Sequence, residues 1–169
     1  YTEYLEESGY YLGFTGEGWG PGNWKDGGRD KNPAGEEFND ITKIPFEQFG
    51  EDVPISHIDY AENFREFLKN RPEGKSFCFW YGATEPHWDY LKGIGQAMGK
   101  RLEDVEVPGF LPDVPEIRSD ILDYLVEIEW FDLHLGKMID ILRKSGELEN
   151  TVIIVTSDNG MPFPRAKSN

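Results

Sequence analysis

The chain has 169 residues, 38% hydrophobic and 14% aromatic, enough to bury a core and form one domain or a large part of one. Seventeen Lys and Arg against 32 Asp and Glu give a formal charge of -15, which repels nucleic acid and anionic membrane surfaces at long range. The single cysteine, Cys78, excludes an internal disulfide and a cysteine-rich zinc site, and no apolar run approaches the roughly 20 residues that span a bilayer.

The chain starts at Tyr1 inside an acidic, helix-compatible stretch that Gly9 would terminate. No signal peptide is visible, and the expectation is a piece of a longer protein. Residues 10–15 read as a strand of aromatic and β-branched character. From Gly16 to about Asp40 the composition shifts to glycine and proline, a long turn-rich loop of the kind that is usually functional or disordered.

Ser56 is placed to cap a helix running to about Asn70, with Ile58, Ala61, Phe64, Phe67 and Leu68 on one face. Residues 76–81, SFCFWY, are aromatic at nearly every position and suit a strand covered on both faces of a parallel sheet. A Gly- and Pro-punctuated stretch follows. The spacing then predicts a long helix from about Glu116 to Lys144, its stripe formed by Ile117, Ile121, Leu125, Ile128, Leu135, Ile139 and Leu142. Residues 151–157 predict a closing strand. Strand, loop, helix, strand, loop, long helix and strand is the alternation of an open, mainly parallel α/β sheet flanked by helices.

Parallel strands joined by crossovers end on one edge, where such sheets bind ligands. That edge would collect Glu17, the Glu85-Pro86-His87 exit, and Asp158-Asn159 followed by Arg165 and Lys167. Asp158 and Asn159 offer a carboxylate and an amide oxygen, a hard donor pair that favours Ca²⁺ or Mg²⁺ over zinc. Calcium takes roughly six to eight ligands, so others must be recruited, and Asp-Asn-Gly is equally ordinary turn chemistry. Pro162 and Pro164 predict an extended continuation that carries Arg165 and Lys167 away from the turn. Either cation would hold an anion if it folded back, or form a solvated pair if it did not. His87 is a candidate for hydrogen bonding to an anion or for proton transfer. His57 and His134 read as structural, and Cys78 as a small core residue.

The run VIIVTSDNGMPFPRAK, the EPH exit from an aromatic strand, and GYYLGFTGEGWGPG with NPAG downstream together resemble the sulfatase family of the alkaline phosphatase superfamily, nearest its heparan N-sulfatase-like branch. The resemblance implies a partial alkaline-phosphatase-like α/β domain. It also implies a hydrolase of sulfate esters or sulfamates, acting on a sulfated saccharide or another small sulfate ester in a periplasmic or extracellular setting. It further implies Ca²⁺, with Mg²⁺ as an alternative, and a formylglycine nucleophile made from Cys or Ser. Carried over by motif, Asp158 and Asn159 are metal ligands, His87 contacts the sulfate or the leaving oxygen, Lys167 binds a sulfate oxygen, and Arg165 binds substrate.

The chain departs from the family pattern twice. Glu17 stands at the place where the family typically has a lysine that helps hold nucleophile and sulfate, so either the match is off by a few residues and Lys25 or Arg29 serves, or the site is altered. No Cys/Ser-x-Pro/Ala-x-Arg motif is present, since Cys78 leads into FWYG and Ser157 into DNGM. Residues 1–169 are therefore expected to be the central part of a sulfatase catalytic domain, inactive alone, with nucleophile and first metal-binding aspartates preceding Tyr1. The alternatives are a phosphodiesterase or phosphonate hydrolase of the same superfamily, against which the few histidines count, and a non-catalytic sulfatase-like binding domain, favoured by Glu17.

Overall fold

The structure, a computed structural model, describes residues 1–18 and 23–167. Residues 19–22, within the expected glycine-rich loop, lie outside the described residues. The chain divides into two compact units, one of residues 1–44, 57–84 and 134–141, the other of residues 45–56, 85–133 and 142–169.

The first unit holds the sheet. Helix α1 (Thr2–Glu7) leads into β1 (Tyr11–Gly16), which pairs in parallel with β3 (Phe77–Gly82) from Tyr11↔Phe77 to Gly16↔Gly82. A two-residue strand, β2 (Glu36–Glu37), pairs with β1 on its other side, so the order is β2-β1-β3. Parallel pairing requires a crossover, and α2 (Tyr60–Asn70) lies between β1 and β3 in the chain. Its buried face carries Tyr60, Ala61, Asn63, Phe64 and Phe67. The Phe67 ring stacks on Tyr11 at 4.8 Å and meets Phe79 at 4.7 Å. A Cβ at Gly13 would lie 2.6 Å from that ring, so the glycine lets helix and strand approach. Burial of one such phenylalanine contributes about 1.5–3 kcal/mol.

Asp59, not Ser56, caps α2, accepting the Glu62 N–H at 3.2 Å. Ser56 directs its own N–H to Glu85, in the second unit, at 2.7 Å. The expectation that β3 is covered on both faces is also corrected. It is a sheet edge, Trp80 is 43% exposed, and Cys78 is only half-buried.

The second unit contains α3 (Ile94–Ala97) and the first part of α4 (Pro115–Ser145). Pro115 suits the first helical position, where its missing N–H costs nothing. Gly146 ends α4 with a left-handed φ of 76°. The helix is as long as its pattern predicts, but its buried face is wider than the predicted stripe, of which Ile121 and Leu142 are buried. Leu122, Val126, Trp130, His134 and Met138 are buried, while Leu125 is exposed and Ile128 half-buried. The same turn of α4 buries Asp123 and Glu127. A core of Val105, Ile121, Leu122 and Phe163 forms against the start of α4.

The closing strand expected at 151–157 is absent. Val152, Ile154 and Val155 are exposed and join no strand among the described residues. A β-branched run becomes a strand only where a neighbour completes its hydrogen bonds, and among the described residues this run pairs with none.

Candidate functional site

Glu17 belongs to the first unit. Its side chain is exposed at the exit of β1, and its N–H donates to the Gly82 carbonyl at 2.6 Å, joining the two strand exits. A Cβ on Gly82 would lie 1.9 Å from the Glu17 carbonyl oxygen, and one on Gly16, at φ 76°, would lie 2.0 Å from the Gly82 carbonyl oxygen. Two glycines at this crossing are therefore required by space, and the expected polar exit after β1 exists.

The remaining sequence-predicted residues all fall in the second unit. His87 is exposed, one residue beyond a cis Glu85–Pro86 bond, with Nδ1 2.6 Å from the Trp88 carbonyl oxygen. That contact makes Nδ1 the protonated nitrogen, because a carbonyl can only accept, and leaves Nε2 as the acceptor of the neutral ring. Side chains on both sides hold the turn. Glu85 is buried and accepts the Ser56 N–H, and the Tyr90 hydroxyl donates to the Pro86 carbonyl at 3.3 Å.

Asp158 and Asn159 are exposed in a bend, where the Ser157 hydroxyl donates to the Asn159 carbonyl at 2.6 Å. The segment beyond them is not extended, contrary to the expectation from Pro162 and Pro164. Ala166 N–H donates to Phe163 O at 3.0 Å and Lys167 N–H to Met161 O at 3.2 Å, so Lys167 is folded back rather than carried away. The cause is Phe163, whose buried ring anchors the turn in the second unit's core. Arg165 is exposed at a left-handed φ of 69°, and its guanidinium lies 3.5 Å from the Phe110 carbonyl.

One residue of α4 joins these two segments. The Tyr124 ring lies 5.9 Å from Tyr90, which holds the His87 turn, and 5.8 Å edge-on from Phe163, which anchors the segment after Asp158-Asn159. Such aromatic pairs add about 0.5–1.5 kcal/mol each beyond the area they bury. The His87 turn and the Asp158–Lys167 segment are thus fixed to a common support.

The donor chemistry at Asp158-Asn159 fits a hard cation, but two oxygens fall short of a calcium shell. No group of three or more His, Cys, Asp or Glu able to hold a metal occurs among the described residues. Asp158 and Asn159 therefore fit as part of a ligand set and not as a whole one.

Sequence reading missed the buried acids of α4. Asp123 accepts the Gly93 and Gly95 N–H groups, both at 2.8 Å, one on each oxygen. Glu127 is pushed up to about 9, first by burial and then by the Glu85 charge. The available signal was their i, i+4 spacing beside Leu122, Val126 and Trp130, a second stripe that competes with the one led by Ile121 and Leu125.

Comparison with known proteins adds a family. The sulfatase family model matches residues 2–167. The N-sulphoglucosamine sulphohydrolase of Homo sapiens is 39% identical over a stretch covering 39% of this chain and 13% of its own length. An uncharacterised sulfatase of Schizosaccharomyces pombe is 28% identical over 60% of this chain and 25% of its own. The ulvan-active sulfatase of Formosa agariphila is 33% identical over 36% of this chain and 10% of its own. The chain thus spans a quarter or less of the curated relatives it matches. No solved structure matches it.

Proposed function

The chain belongs to the sulfatase family of sulfuric ester hydrolases, and from that membership we propose that the whole protein removes sulfate from a sulfated carbohydrate, as an ester or a sulfamate, in a calcium-dependent reaction. The observation that carries this reading is the attachment of the His87 turn and the Asp158–Lys167 segment to the same residue, Tyr124. The carbohydrate class rests on a relative's name, N-sulphoglucosamine being a sulfated amino sugar.

In this reading His87, when protonated at Nε2 as well as at Nδ1, donates from Nε2 to a sulfate oxygen or gives that proton to the leaving oxygen. Lys167 neutralises a second sulfate oxygen, with Arg165 nearby in sequence as a further cation, and Asp158 and Asn159 supply two oxygens to the metal. Calcium bound there would act as a Lewis acid that stabilises charge on the sulfuryl oxygens. The other metal ligands and a formylglycine nucleophile would come from the remainder of the protein. The setting proposed is periplasmic or extracellular, which fractionation checks.

Glu17 favours a second reading, a non-catalytic sulfatase-like binding domain, because an exposed carboxylate at that strand exit repels an anionic substrate. The deciding experiment incubates the full-length protein with N-sulfated and O-sulfated disaccharides and with a phosphodiester. Sulfate release that chelation abolishes and calcium restores is the expected result. Phosphodiester cleavage without sulfate release would replace it with phosphoryl chemistry, and binding without turnover with the non-catalytic reading.

A further inference from the structure

Among the described residues of the second unit, Trp88 and Phe110 are the exposed aromatic residues, at 58% and 39%. The Trp88 carbonyl accepts the Nδ1–H of His87 at 2.6 Å, and the Phe110 carbonyl lies 3.5 Å from the Arg165 guanidinium. Each exposed aromatic residue is thus tied through its own backbone to one of the side chains read as handling sulfate. Each also sits beside a residue that anchors it. Tyr90, two residues after Trp88, and Leu111, next to Phe110, pack against the same core of Val105, Ile121, Leu122 and Phe163. A single exposed apolar side chain is ordinary. Two large rings held on one core, each bonded through its backbone to a different anion-handling group, form a recognition surface.

We propose that Trp88 and Phe110 are specificity-determining residues that recognise the sugar of the substrate, each stacking on the C–H face of a pyranose ring while His87 and Arg165 take its sulfate. The assignment rests on the reading of the substrate as a sulfated carbohydrate. One face of a pyranose presents C–H groups that are apolar and weakly positive, which complements the electron-rich face of an aromatic ring. The net charge of -15 repels a sulfated sugar at long range, so short-range, uncharged contacts must contribute to holding it. Aromatic side chains suit that task because they offer a large contact area and lose little conformational entropy on binding. Trp88 is the principal contact, being the larger and more exposed ring, and the hydrogen bond from His87 to its carbonyl fixes the backbone between the two.

The test measures, by calorimetry on the full-length protein, the binding of two separate probes: an unsulfated glucosamine-containing disaccharide and inorganic sulfate. Trp88→Ala should weaken disaccharide binding about 10-fold, the upper end for one aromatic contact, and Phe110→Ala should weaken it by a smaller factor. Sulfate binding should stay within about 2-fold in both, since neither ring carries a charge. Trp88→Phe should retain most of the disaccharide affinity, whereas Trp88→Leu, apolar but not aromatic, should lose it, a split that a space-filling role would not produce. Disaccharide binding that is absent from the wild type, or unchanged in Trp88→Ala, would overturn the assignment. Equal loss of both probes in Trp88→Leu, with Trp88→Phe no better, would overturn it too, by showing that the residue only holds the His87 turn. Sulfate release is assayed in parallel. If disaccharide binding depends on Trp88 but no sulfate is released, the hydrolase reading falls while the sugar-contacting role stands.

Discussion

His134, on α4, accepts the Ala61 backbone N–H of α2 through Nδ1 at 3.3 Å. The ring is 1% exposed and meets Tyr60 edge-on at 5.4 Å. A first-turn N–H has no partner within its own helix, so the imidazole completes the cap that Asp59 begins.

This contact requires an unprotonated Nδ1. Burial chiefly, with the Lys137 and Lys43 charges adding and Asp59 opposing, lowers the His134 pKa to about 4. Because the folded value lies below the ordinary 6.5, the unfolded chain binds more protons between pH 6.5 and 4. The contribution is complete above the unfolded pKa and is lost as pH falls toward the folded one, by about 3 kcal/mol. Urea denaturation at pH 7 and pH 4 should show that loss in the wild type and much less of it in His134→Gln. Equal pH dependence of the two proteins would dismiss the cap.

Gly82→Ala should break the strand exit. The added Cβ meets the Glu17 carbonyl, a backbone atom at 1.9 Å that cannot rotate away. A destabilisation of about 3 kcal/mol is expected, from overpacking, with loss of amide protection at Gly16 and Glu17. Gly9→Ala serves as a comparison, since nothing lies within 4 Å of the added methyl and only the φ of 89° resists it. A smaller loss for Gly82 than for Gly9 would mean that the two strand exits are not in contact.

The stretch 152–155 should drive self-association of the isolated chain. Val152 is 86% exposed and Ile154 81%, and exposed, uncharged β-branched runs pair with copies of themselves. Sedimentation should reveal concentration-dependent association that Ile154→Lys reduces without altering the far-ultraviolet circular dichroism. A wild-type chain that sediments as a monomer at all concentrations would exclude it.

The full-length protein should respond to charge at Glu17. Glu17→Lys places a cation at that strand exit and should raise kcat/KM for sulfate release, by about 10-fold if one electrostatic contact is gained. His87→Ala should lower it by about 100-fold or more. Activity indifferent to Glu17→Lys would show that Glu17 does not occupy the lysine's place, and indifference to His87→Ala would remove the histidine from the chemistry.

Local pattern was enough for what depends on near neighbours in the chain. The helices near 60–70 and 115–145 and the strands near 11–16 and 77–82 follow from periodicity and from Gly and Pro punctuation. The motifs around His87 and Asp158 were likewise legible, and with them the family. Three features needed the tertiary structure. The run 152–155 has strand chemistry, yet strand formation depends on a partner that no local pattern specifies. The turn at 162–167 folds back because Phe163 finds a core, a contact between residues far apart in sequence. On α4, two overlapping stripes of comparable spacing compete, and packing buried Ile121 and Leu142 of one together with Asp123, Glu127 and His134 of the other while leaving Leu125 exposed. Backbone N–H groups of Gly93, Gly95 and Ala61 supply the compensation for burying two of these polar side chains. Those donors are brought to α4 only by folding, so the physical reason for the choice lies outside the helix's own sequence.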